Sequence, residues 1–204
     1  MGATHLLAWN QKSRTDKILD VIVSAFSAGY AGLYLASLVY KRNIISLGLF
    51  LFYTLLAFLF LRRKPAKRAA PWWQTVIALV SVFWPAAVLR PAPEGVWVGN
   101  VLQAVALGFL LAATLSLGRS FGIAPADRGL RTEGMYRFVR HPLYASETLF
   151  YIGYLLANLS WTNVFGLVGA VVVFIMRIRW EEQLIEGYSA YAQQVRWRLV
   201  PYVW

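Results

Sequence analysis

The sequence predicts an all-α integral membrane protein with five to six transmembrane helices, the last two forming a C-terminal helical hairpin. Three observations predict this fold class. Hydrophobic residues make up 59% of the 204 residues and charged residues only 14%, which is too apolar for a soluble domain of this length. Uncharged segments recur at about the 20-residue length that crosses a bilayer. The basic residues lie mostly in the short segments between them.

Four apolar segments precede residue 118: Val21–Tyr40, Ile44–Leu61, Trp72–Leu89 and Val96–Leu117. None of the four contains a histidine or a charged residue. A soluble helical bundle would need polar helix faces, which these segments lack. We therefore predict that residues 1–117 form a scaffold of four spans.

The proline and tryptophan residues of this scaffold suit a membrane environment. Pro85 is predicted to kink the third span, where neighbouring groups can satisfy the freed carbonyl. Tryptophan rings favour the membrane interface, and a ligand cage is the alternative interpretation. The tryptophans at or near predicted span ends are Trp72, Trp73, Trp84 and Trp97.

The remaining residues, 118–204, form the second part of the same single membrane domain. A loop with glycine, proline and mixed charge is predicted over Gly118–Gly134. It leads into two shorter apolar segments, Leu143–Leu159 and Trp161–Met176, which we predict to form a tight hairpin. Glu147 is the only charged residue inside them. A charge at such a depth is expensive unless it is paired or used.

Basic residues predict the orientation of the chain. Loops rich in lysine and arginine remain on the cytoplasmic side, and the densest cluster lies between the second and third spans, over Arg62–Arg68. With six spans, this places both termini in the cytoplasm and leaves only Lys41, Arg42 and Arg90 outside. The polar start, Met1–Lys17, lacks a small-residue cleavage site, so the first span is predicted to be retained.

The net charge of +11 is then explained by orientation and by anionic lipid in the bilayer. Nucleic acid is not an expected partner, because the basic residues are spread over short loops beside spans. Arginine outnumbers lysine and alanine is abundant, a composition that favours a prokaryotic inner membrane. The chain has no cysteine, and His5 and His141 are its only histidines, so no metal site is predicted.

Two clusters of ionisable residues flank the hairpin, one around residue 140 and one around residue 180. If the last span continues as a helix, Arg177 and Glu181 share a face, and Tyr188 and Tyr191 extend it. A simple interfacial ion pair is the alternative interpretation of Arg177 and Glu181. Likewise, His141 before a proline could be no more than a helix-start signal.

These clusters carry a resemblance to a known family. The first motif is Gly134-x-Tyr136-x-x-x-Arg140-His141-Pro142-x-Tyr144, and the second is Arg177-x-x-x-Glu181-Glu182-x-Leu184. With the trailing Tyr188-x-x-Tyr191 and Arg198-Leu199-Val200-Pro201, they resemble the isoprenylcysteine carboxyl methyltransferase and phospholipid methyltransferase superfamily. The resemblance covers Leu117–Trp204, and the earlier spans match it in character only.

The resemblance implies an S-adenosylmethionine-dependent methyltransferase with a cytoplasmic cofactor pocket. Its acceptor would be a carboxylate or an amine on a membrane lipid or isoprenoid. Glu181 would hold the methionine ammonium of the cofactor, Arg177 would face the acceptor, and Arg140 would support the site. The residues that the resemblance assigns to the cofactor are Arg128, Gly129, Leu130, Arg131, Tyr136, His141, Pro142, Leu143, Tyr144 and Glu181.

The chain also departs from the family pattern. Relatives often place a small residue and a glycine after the tyrosine of the first motif, where this chain has Ala145-Ser146-Glu147. Glu147 could cap the following helix, pair with Arg140 or Arg177, or contact substrate. The segment between Glu182 and Tyr188 is shorter than in many relatives. Both departures bear on the identity of the acceptor more than on the binding of the cofactor.

Two other function classes remain open at this stage. Membrane sterol reductases resemble this C-terminal architecture and use a nicotinamide cofactor, but they usually have more spans. A membrane protein that retains the fold without catalysis is the other class. Binding of S-adenosylmethionine or of NADPH would distinguish the three.

Overall fold

In the computed structural model of the protein, residues 11–91 and 96–204 are described. His5 and most of the segment Met1–Lys17 lie outside these ranges. The described residues contain seven α-helices. Their bounds are α1 Arg14–Lys41, α2 Ile44–Arg62, α3 Trp72–Val88, α4 Trp97–Leu117, α5 Pro142–Ala157, α6 Trp161–Leu184 and α7 Tyr188–Gln194.

The helices confirm a helical membrane protein. Four of those in the described part are long and apolar enough to cross a bilayer: α1, α2, α4 with its following turn, and α6. The other two apolar helices are shorter, α3 with 17 residues and α5 with 16. The total of five to six spans therefore stays a prediction, as does the orientation of the termini.

The first helix begins at Arg14, earlier than the predicted start at Val21. Ser13 caps it, because its Oγ accepts a hydrogen bond from the Asp16 backbone nitrogen at 3.0 Å and so satisfies a free N–H of the first turn. Asn43 caps α2 in the same way, and Ser160 caps α6. The polar residues between the spans thus define where the helices start.

The ends of α1 and α2 are joined by a buried carboxylate. Asp20 is fully buried and accepts a hydrogen bond from Lys12 Nζ at 2.6 Å. Arg63, just after α2, forms an ion pair with the other oxygen of the same carboxylate. This cluster explains how α1 accommodates an acid directly before its apolar stretch, since a buried charge must be compensated.

The apolar core lies between α2, α4 and the start of α5. Its largest buried side chains include Phe60, Leu107 and Leu110, and Phe121 from the loop after α4 packs edge-on against Phe60. A second cluster joins the two helices of the hairpin through Tyr144, Ala170, Phe174 and Ile178. The hairpin is therefore packed on the scaffold by α4 and held together by its own aromatic contacts.

Helices α4 and α5 pack closely through small residues. A Cβ at Gly99 would collide with the backbone of Gly153 and Ala157. A Cβ at Gly153 would lie 2.8 Å from the backbone nitrogen of Gln103. Such close backbone approach is typical of glycine-containing contacts between membrane helices.

We expect Gly99→Ala to destabilise the protein by about 1–3 kcal/mol, because α4 and α5 would have to move apart. The thermal unfolding midpoint in detergent micelles measures this loss. Gly108→Ala on the same helix is the matched control, since its Cβ would have no atom within 4 Å. Equal midpoints for the two variants would contradict the close contact.

A short two-stranded sheet connects two loops whose pairing was not predicted. β1, Arg68–Ala69, lies antiparallel to β2, Ala126–Asp127. The Lys67 backbone nitrogen also donates to the Asp127 carbonyl at 2.8 Å. The all-α class is unchanged by this contact, in which the extended backbone of two loops satisfies its polar groups by pairing.

Helix α6 continues beyond the predicted span end at Met176 and reaches Leu184. Arg177 and Glu181 are therefore on one helix, as the sequence predicted. The further continuation to Tyr188 and Tyr191 is wrong. Gly187 adopts a left-handed conformation with φ of 77° and separates α6 from α7, which turns the two tyrosines back toward the start of α5.

Candidate active site

A polar cleft opens where the hairpin α5–α6 begins and ends. Its walls come from the loop after α4, the 3-10 turn Gly134–Arg137, the start of α5, the end of α6, and α7. The residues assigned to the cofactor that line it are Arg128, Gly129, Leu130, Arg131, Tyr136, His141, Leu143, Tyr144 and Glu181. Pro142 lies outside the lining and is buried as the first residue of α5.

The hairpin brings together the two ionisable clusters that the sequence separates by about 40 residues. The Tyr144 hydroxyl donates to Glu181 Oε1 at 2.5 Å. His141 Nε2 lies 3.3 Å from Glu182 Oε1, and His141 Nδ1 lies 3.9 Å from Glu181 Oε2. The consecutive carboxylates of α6 thus lie beside the two ring nitrogens of His141, the residue that precedes α5.

Glu182 is held by several donors. Arg198 donates from Nε at 2.9 Å and from Nη2 at 3.1 Å, and the Tyr188 hydroxyl donates at 2.9 Å. Arg140 Nη1 lies 3.5 Å from the same carboxylate. The hydrogen bond to Glu182 raises the pKa of Arg198. Glu182 is therefore held by structural contacts, whereas within the described part of the chain Glu181 Oε2 has only the longer contact with His141.

The C-terminal segment closes over the start of α5. The backbone nitrogens of Arg140 and His141 donate to the carbonyls of Trp197 and Arg198, at 2.8 and 2.9 Å. These bonds satisfy backbone donors just before Pro142, which has no N–H of its own. The motif around residue 140 is thus fixed by main-chain contacts as well as by Glu182.

Asp127 organises the loop that forms the cleft's opposite wall. Its Oδ1 accepts from the Gly129 backbone nitrogen at 2.9 Å, a local turn typical of aspartate. Its Oδ2 accepts from the Glu186 backbone nitrogen at 3.3 Å. Gly129 has a φ of 93°, which favours glycine. Asp127 therefore ties the loop to the end of α6.

The cleft tyrosines outside the spans serve as neutral walls. Burial raises the pKa of Tyr136 well above its ordinary value and raises that of Tyr191 to about 12. The Tyr191 hydroxyl donates to the Tyr136 carbonyl at 2.5 Å. Neither phenol is ionised near neutral pH, so neither is a proton acceptor there.

The two arginines assigned to catalysis occupy different places. Arg140 lines the cleft. Arg177 lies outside the cleft lining: its guanidinium sits 5.1 Å from the centre of the Tyr144 ring, and Nη2 donates to the Ile123 carbonyl at 2.6 Å. Arg177 therefore connects α6 to the loop and supports the ring that reaches Glu181.

Glu147 lies in the second turn of α5, so it does not cap the helix. Arg140 is engaged by Glu182, whereas Arg177 and Glu181 are the charged groups that act on Glu147. Its buried Oε2 has no hydrogen-bond partner among the described residues. Of the open alternatives, electrostatic pairing with Arg177 is the one this position favours.

The sequence interpretation assigned no role to Asp127, Tyr188 or Arg198 at the site. The trailing motif contained the last two, but only the fold shows that they meet Glu182. Asp127, two residues before a glycine, carried a signal for a local turn. Within residues 11–91 and 96–204 no group of three histidine, aspartate or glutamate side chains could hold a metal ion.

The fold and the cleft together define a class: a helical membrane protein whose polar pocket is formed at one end of a helical hairpin. Residues 94–193 match the family model of phospholipid methyltransferase. This region of the chain is similar to that family, which is consistent with the membrane methyltransferase superfamily. No curated protein matches the chain.

Proposed function

We propose that the protein transfers a methyl group from S-adenosylmethionine to a carboxylate or amine of a lipid or isoprenoid-linked acceptor at the cytoplasmic membrane face. The observation that carries the proposal is that both motifs lie in one cleft, where the Tyr144 hydroxyl donates a hydrogen bond to Glu181. The matching family is one of methyltransferases, and the apolar helices provide the membrane setting.

The chemistry of the cleft fits this cofactor. S-Adenosylmethionine supplies an electrophilic methyl group on a sulfonium. Glu181 presents a carboxylate oxygen suited to an ammonium group, because charge-assisted hydrogen bonds are the stronger ones. Gly122 and Gly129 in the opposite wall allow a ligand to approach the backbone closely. The tyrosines that line the cleft add neutral rings, which favour a flat aromatic group.

The protein's part in the reaction is positioning. Methyl transfer from a sulfonium is a displacement that needs the donor and acceptor in line, and holding them so removes most of the entropic barrier. The Tyr144–Glu181 contact fixes one side of the cleft. Arg177, with a buried unpaired Nε among the described residues, is proposed to act on the acceptor side.

Transfer of labelled methyl groups into a total lipid extract tests the proposal. We expect the purified protein to label a lipid fraction when supplied with methyl-labelled S-adenosylmethionine, and mass spectrometry of the product then identifies the acceptor. Calorimetry with S-adenosylmethionine and NADPH is the companion measurement. Binding of NADPH alone would support the reductase class instead, and binding of neither would support a non-catalytic protein.

A further inference from the structure

The cleft wall contains a buried guanidinium with an unused donor. Arg128 is only 7% exposed, and its Nε has no hydrogen-bond partner within the described part of the chain. Its Nη1 makes one long hydrogen bond, 3.4 Å, to the Lys64 carbonyl. A buried donor of this kind costs free energy unless a ligand satisfies it.

The surroundings of Arg128 are positively charged. Lys12 and Arg63 share the carboxylate of Asp20. Arg128 is a third cation near it, and the acids that act on Arg128 are Asp16 and Asp20. Burial lowers the pKa of Arg128 to about 10, so it remains charged at neutral pH. The cluster therefore has more positive than negative charge and favours an anion.

Gly122 keeps a space open beside the unused donor. A Cβ at Gly122 would lie 3.2 Å from Arg128 Nε and 3.6 Å from Arg63 Nη1. Gly122 and Arg128 both line the cleft. The space where a side chain would be is thus within hydrogen-bond distance of the guanidinium and accessible from the proposed cofactor site.

We propose that Arg128 and the space at Gly122 bind an anionic oxygen group, a carboxylate or a phosphate. A guanidinium is well suited to either group. The inference rests on the proposed function and adds the group that Arg128 recognises. The anion has two possible sources, the carboxylate of S-adenosylmethionine itself and the phosphate of a phospholipid acceptor.

Three variants of the full-length protein in detergent test the site. Arg128→Gln removes the charge and the Nε donor. Gly122→Ala keeps the Arg128 charge but fills the space beside it. The backbone φ of Gly122 is not positive, so an alanine there is not strained. Arg137→Gln is the matched control, because it removes an arginine from an exposed position of the following 3-10 turn.

The first arm compares S-adenosylmethionine with its decarboxylated form by calorimetry. If the cofactor carboxylate is the ligand, Arg128→Gln and Gly122→Ala each weaken S-adenosylmethionine binding by about tenfold or more. Binding of the decarboxylated form then stays within about twofold of wild type in both variants. Arg137→Gln leaves both affinities unchanged.

The second arm uses glycerol 3-phosphate as a soluble probe for a phospholipid phosphate. If the acceptor phosphate is the ligand, wild type and Arg137→Gln bind the probe, and the two site variants bind it at least about tenfold more weakly. Their affinity for S-adenosylmethionine is then unchanged.

The inference is overturned if wild type binds S-adenosylmethionine and the Arg128→Gln and Gly122→Ala variants have the affinities of wild type for both S-adenosylmethionine and glycerol 3-phosphate. In that case the proposed function stands and the anion site does not. If wild type fails to bind S-adenosylmethionine and transfers no methyl group, the proposed function fails. The glycerol 3-phosphate arm then still decides whether Arg128 and Gly122 form an anion site.

Discussion

Glu181→Gln is expected to weaken S-adenosylmethionine binding by about 2 kcal/mol, or about 30-fold, because the cofactor's ammonium would lose its ionic partner. Glutamine keeps an oxygen that can accept the hydrogen bond from the Tyr144 hydroxyl. The local packing is therefore retained, and the loss reports on the charge. Calorimetry on the purified protein measures the two dissociation constants.

Glu186→Gln is the matched control, because it removes a negative charge at the same end of the protein. Its side chain is 71% exposed and pairs only loosely with Lys67, at 3.5 Å, so cofactor affinity should be unchanged. Arg177→Ala is the complementary variant: it is expected to retain cofactor affinity and to lose turnover. An unchanged affinity in Glu181→Gln would exclude the proposed ammonium contact.

Asp20→Asn is expected to have the largest effect on stability, a loss of about 3–5 kcal/mol. The substitution keeps the shape of the side chain but removes the charge that neutralises Lys12 and Arg63, both of which are buried. Buried cations without a counter-charge strongly disfavour the folded state. Thermal unfolding of the protein in detergent micelles, followed by circular dichroism, measures the change.

Asp16→Asn is the control for this prediction. Asp16 lies one turn earlier on the same helix and is only half-buried, and its carboxylate accepts an exposed hydrogen bond from the capping Ser13 hydroxyl. Because exposed pairs contribute little, its unfolding midpoint should remain close to wild type. Similar midpoints for the Asp16 and Asp20 variants would show that the buried cluster does not stabilise the fold.

Much of the fold was predictable because the bilayer limits what an apolar chain can form. Segments such as Ile44–Leu61 and Trp72–Leu89 correspond to helices within one residue at each end, since a chain in hydrocarbon must satisfy its backbone internally. The predicted helix boundaries were wrong where charged residues were involved. The start of α1 was misplaced because Asp20 is neutralised by Lys12 and Arg63, which are eight and 43 positions away in sequence.

The candidate site was predictable to the extent that its residues form a motif. The spacing of Arg177 and Glu181 on one helix followed from helical periodicity. The position of Arg177 beside the Tyr144 ring did not follow from periodicity, because it depends on a hydrogen bond to the Ile123 carbonyl of a distant loop. The break at Gly187 also escaped prediction, since a glycine within a helical pattern becomes a stop only when its conformation is known.

By itself, the sequence determined the helical membrane class, the hairpin and the two motifs beside it, because hydrophobicity and helical periodicity are local properties. Only the tertiary structure decided which carboxylate is held by structural hydrogen bonds and which arginines have a buried donor without a partner among the described residues. Glu181 and Glu182 are adjacent and chemically identical, yet Glu182 is bound by Arg198 and Tyr188. The physical reason is that partners in a packed site come from several elements, and their distances exist only in the folded chain.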